Sequence, residues 1–88
     1  MRYLPALILT AIATGPAIHA QSTLLDNVKR NPKEALALCS EFRELNTKGI
    51  SSSSKEVLEK VSQQKSLSII DAEILSMYVI GLNCPDVY

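Results

Sequence analysis

The residues in this 88-residue chain best suited to covalent chemistry are its two cysteines, Cys39 and Cys84. They are far apart and form no C-x-x-C, so neither a thioredoxin-like redox pair nor a C-x-x-C-H haem attachment is present. Two cysteines in a chain that carries an export signal point instead to one structural disulfide, Cys39–Cys84. It would close a loop of about 46 residues, for which chain entropy gives roughly 4 kcal/mol of stabilisation. The alternative, two free buried thiols, requires a reducing cytosol.

Histidine sets the strongest exclusion. The only one, His19, lies in an N-terminal segment that reads as removable. Without it there is no Ser-His-Asp or Cys-His catalysis, no His-ligated metal site and no histidine pH switch. Glu41 and Glu44 stand one helical turn apart. They read as a weak cation or acid–base pair only if burial shifts them, and as a solvated face otherwise. Ser51–Ser54 lacks the glycines and lysine of a phosphate cradle and serves as a linker. Met77 and Tyr78, at helical spacing, read as core before cleft. The expectation is therefore a non-enzyme with no catalytic residue, no cofactor and no metal.

The elements that hold the cysteines follow from the pattern. Met1–Ala20 has the form of a secretory signal peptide: Arg2, an apolar Leu4–Ala13, the break at Gly15-Pro16, and small residues before Gln21. Cleavage leaves one small domain, residues 21–88, with eight Lys/Arg (nine less Arg2) against nine Asp/Glu. That balance supplies no basic patch for a nucleic-acid backbone. The expected localisation is periplasmic or secreted, with no membrane attachment after cleavage.

The spacing predicts an all-α fold of four short helices, about 23–30, 32–47, 54–64 and 69–83. The first carries Leu24, Leu25 and Val28. Asn31-Pro32 ends it and opens the second, whose apolar face is Ala35, Leu38, Cys39, Phe42 and Leu45. Gly49 and Ile50 predict a Schellman ending. Ser53 with Glu56 reads as a capping box for the third helix, which offers only Val57, Leu58 and Val61 and a Glu56–Lys60 pair. The tail 86–88 is expected to fray.

The fourth helix, capped by Ser68 with Asp71 and stopped by Pro85, is apolar nearly all round. Ile70, Ile74, Met77, Gly81 and Cys84 share one face, read as the covered one, where Gly81 would admit another backbone. Glu73, Ser76 and Asn83 mark a narrow wet strip. A second stripe, Leu75, Val79 and Leu82, is left as a candidate partner-facing patch unless the first helix covers it.

LCSEFRELNTKGI, then a serine-capped helix, then SIIDAEILSMYVIGLNCP resembles small exported bacterial domains of unknown function, best known from mycobacteria. Here Asn83 stands before the last cysteine, where an aromatic is common. The resemblance implies an all-helical fold with Cys39 bonded to Cys84, and it brings no catalytic residues. Two functional expectations follow. One is an exported, non-enzymatic interaction or structural domain that binds another protein or itself through its C-terminal helix. The alternative is a small periplasmic stress-related holdase chaperone.

Overall fold

The computed structural model describes residues 15–88, with side chains from residue 23 onward. Four helices follow in order: α1 (Gly15–Arg30), α2 (Pro32–Thr47), α3 (Lys55–Lys65) and α4 (Ile69–Asn83). No strand occurs among the described residues. Helix α1 starts earlier than the expected 23–30 and runs unbroken through the expected cleavage point between Ala20 and Gln21. The apolar part of the expected signal peptide, residues 1–14, lies outside the described residues.

The junctions show why the helices end where they do. At Asn31 the backbone N–H and the side-chain amide both donate to the Asn27 carbonyl, at 3.0 and 2.9 Å. The side chain thus closes the end of α1 and leaves the start of α2 without a side-chain cap. Pro32 compensates, because it has no N–H to satisfy and its φ is already helical. At the other end of α2, Gly49 takes φ +79° and Ile50 N–H reaches back to the Leu45 carbonyl at 2.9 Å. Gly49 N–H meets the Asn46 carbonyl, which completes the expected Schellman motif.

Helix α3 is capped by Ser54 rather than by Ser53, and no side-chain bond forms there; the Ser54 hydroxyl is buried and unpartnered. Ser66, left-handed at φ 56°, then turns the chain, and α4 leaves α3 at 95°. Ser68 caps α4 as expected, accepting from Asp71 N–H at 3.0 Å.

Helix α4 is the hub. It packs against each of the other three, while α1 also packs on α2. The core draws Leu24 and Val28 from α1, Leu38 and Phe42 from α2, Val57 and Val61 from α3, and Ala72 and Val79 from α4. Helices α2 and α3 are joined at the surface by Lys60–Glu41 (3.7 Å) and Lys65–Glu34 (3.1 Å). Lys60 thus pairs across helices and not with Glu56 on its own. Exposed pairs of this kind contribute at most about 1 kcal/mol each.

Candidate interaction surface

Cys39 and Cys84 are bonded, with Sγ–Sγ 1.98 Å and Cα–Cα 6.0 Å, and both are fully buried. Cys39 lies on the core face of α2, and Cys84 caps α4. The bridge therefore fixes the end of the hub helix to the middle of its neighbour.

The tail beyond Cys84 is docked, against the expectation that it frays. Val87 is buried. Arg43 Nε and Nη2 donate to the two Asp86 carboxylate oxygens at 2.9 and 3.0 Å. These bonds and the opposed charge hold the Asp86 carboxyl below its ordinary value and push the Arg43 guanidinium up. Tyr88 is gripped by Asn46, and its main-chain oxygen also accepts from Ser52 N–H at 2.8 Å. Local sequence gave no sign of this, because the partners lie 36 to 43 positions away.

The two stripes of α4 exchange roles. Leu75 and Val79, expected on a free patch, are 7 % and 1 % exposed; only Leu82, at 55 %, is open. Conversely, Ile70 and Met77, expected inside, are 69 % and 64 % exposed, with Ile69 beside them. Ile74 is half-buried. Ser76, expected on the wet strip, is buried and donates to the Ala72 carbonyl at 2.9 Å, so its hydroxyl is satisfied within the helix. Gly81 has no other chain beside it: a Cβ there would meet nothing within 4 Å. The physical reason is that apolar residues surround α4 almost evenly, so periodicity alone does not fix its rotation. Cys84 is buried although helical phase would set it beside Met77, because at φ −150° it has already left the helix.

The outer face of α4 therefore carries Ile69, Ile70 and Met77 around a single charge, Glu73, while Leu82 is exposed at the end of the helix on the Leu75/Val79 side. Among the described residues, Glu73 is in no ion pair. No single helix there is long and apolar enough to cross a membrane.

On the inner side, a cleft of about 280 Å³ opens between α1, α2 and α4. Its apolar wall is Leu24, Val28, Leu38, Leu67, Leu75 and Val79. Its polar rim is Asn27, Asn31, Glu34 and Lys65. The expected partner residues Leu75 and Val79 thus line a cleft rather than the outer surface.

Glu41 and Glu44 pair with Lys60 and Lys48 at 3.7 and 4.0 Å, which fits the solvated-face reading. Among the described residues, no cluster of three or more His, Cys, Asp or Glu side chains could hold a metal ion.

No curated protein and no solved structure matches this chain. One family does, and it covers α2, α3, both cysteines and all of α4: over residues 25–84 the chain belongs to DUF8664, a domain of unknown function.

Proposed function

We propose that this chain is an exported, non-enzymatic interaction domain whose working surface is the outer face of α4. The observation that carries the reading is the exposure of Ile69, Ile70 and Met77 on a helix anchored at both ends. Exposed large apolar side chains grouped on one rigid element mark a surface that another molecule covers. The Cys39–Cys84 bridge supports an oxidising compartment, as does the signal-like sequence of residues 1–20. The occupant we assign is another protein.

The test is photo-crosslinking in cells expressing the full chain, with a benzophenone amino acid at Met77 and a control at Glu59 on α3. Adducts of one defined mass from position 77, absent from position 59, support the reading. Adducts of twice the subunit mass redirect it to self-association. A protein that is strictly monomeric and yields no adduct from position 77 overturns it. Intact mass without reductant, on the same sample, reports cleavage near Ala20 and the state of both sulfurs.

A further inference from the structure

The cleft between α1, α2 and α4 is chemically two-ended. Leu24, Val28, Leu38, Leu75 and Val79 supply an apolar wall, whereas Asn27, Asn31, Glu34 and Lys65 form a polar rim. The cleft measures about 280 Å³ and is open on one side, a size for roughly eight to ten carbon atoms once its wall side chains, each at most 7 % exposed, part to admit them. The rim asks for a head group that competes for a charge.

The Lys65–Glu34 pair decides which charge. Lys65 Nζ donates to Glu34 Oε1 at 3.1 Å, but the two side chains are unequally wet: 29 % exposed for Lys65 and 62 % for Glu34. Glu34 can leave for water at little cost. Lys65, the less exposed side chain of the two, keeps its place at the rim and is free to take another anionic partner there. Asn31 Nδ2 is already committed to the Asn27 carbonyl, which leaves the lysine as the rim's strongest free donor once Glu34 moves.

From this arrangement we propose that the cleft is a binding site for a medium-chain carboxylate. Its hydrocarbon lies against Leu38, Leu75 and Val79, and its carboxylate replaces Glu34 on Lys65. The exchange swaps one carboxylate for another, while the hydrocarbon gains its contacts as the nearly buried Leu38, Leu75 and Val79 side chains shift to admit it. This site is separate from the outer face of α4 and stands independently of the interaction reading.

The full chain is expressed, the oxidised protein is recovered with labelled methyl groups, and octanoate and 1-octanol are titrated separately by NMR. Saturable shifts are expected at the Leu24, Leu38, Leu75 and Val79 methyls, with octanoate bound more tightly than octanol. Lys65→Met removes a charge-assisted hydrogen bond and weakens octanoate about tenfold or more while sparing octanol. Glu34→Gln frees the lysine and tightens octanoate by about two- to fivefold, again sparing octanol. Shifts confined to Ile70 and Met77, equal binding of acid and alcohol, or weaker octanoate binding in Glu34→Gln would each overturn the proposal.

Discussion

Asn46 and Tyr88 hold each other through three hydrogen bonds, all of 2.9 Å. The Asn46 amide donates to the Tyr88 main-chain oxygen, and Tyr88 N–H donates to Asn46 Oδ1. The Tyr88 phenol then donates to the Asn46 carbonyl, which the Schellman ending of α2 leaves with a free lone pair. Asn46 also donates to the Ile50 carbonyl at 2.9 Å, so one amide organises both the end of α2 and the tail.

Replacement of Asn46 by Ala should therefore release the tail. These bonds lie at the surface, so the expected loss is about 1–2 kcal/mol in urea denaturation, at about 0.5–1.5 kcal/mol per bond. The Tyr88 amide should exchange with solvent at the rate of a free chain end. Retained protection of that amide would refute the clamp.

The disulfide is expected to dominate stability. A Cys39→Ala, Cys84→Ala variant should lose about 4 kcal/mol, and dithiothreitol should lower the wild-type midpoint to that of the variant. Such a loss approaches everything that a small apolar core contributes on its own, about 3–5 kcal/mol. Unchanged melting in reductant would show that helix packing suffices.

Acid should act through Asp86. Its carboxyl titrates below the ordinary value because Arg43 hydrogen-bonds the charged form. The stabilisation is therefore complete above the usual carboxylate range and disappears as pH falls through the depressed value. The denaturation midpoints of wild type and Asp86→Asn should differ at pH 7 and converge below that value. Both side chains are more than half exposed to water, so the gap should also shrink in molar salt.

The rotation of α4 can be read from two substitutions. Leu75→Ala should cost about 2–5 kcal/mol, as a buried truncation does. Met77→Ser should stay within about 0.5 kcal/mol of wild type, because its side chain is already in water. Equal costs would mean that the inner and outer faces are misassigned.

The two serine caps should also behave differently. Ser68→Ala removes the bond to Asp71 N–H and should cost about 1 kcal/mol. Ser54→Ala deletes a buried hydroxyl that makes no bond and should be neutral or stabilising. Thermal melts of both variants under one condition give the comparison.

How legible this fold was in the sequence varied with the kind of signal. The α2 face from Ala35 to Phe42 and the Gly49 ending were readable, because amphipathic periodicity and left-handed glycines are local properties. So was the Cys39–Cys84 pairing, since only two cysteines exist. The rotation of α4 was not readable, because a helix apolar on all sides carries no phase. The expected patch of Leu75, Val79 and Leu82 therefore kept only Leu82 at the surface. The docked tail was illegible for another reason: Arg43 and Asn46 look like ordinary solvated residues until residues 86–88 arrive beside them. Asn31 stands at the N-cap position of α2, as its type suggests, but its amide bonds the Asn27 carbonyl at the end of α1 and not an N–H of α2.

The ties between α2 and the tail form a ladder: Cys39 to Cys84, Arg43 to Asp86, Asn46 to Tyr88. Each rung joins positions 42 to 45 residues apart. Loss of residues 84–88 alone would undo all three rungs at once and leave α4 held to α2 by packing only.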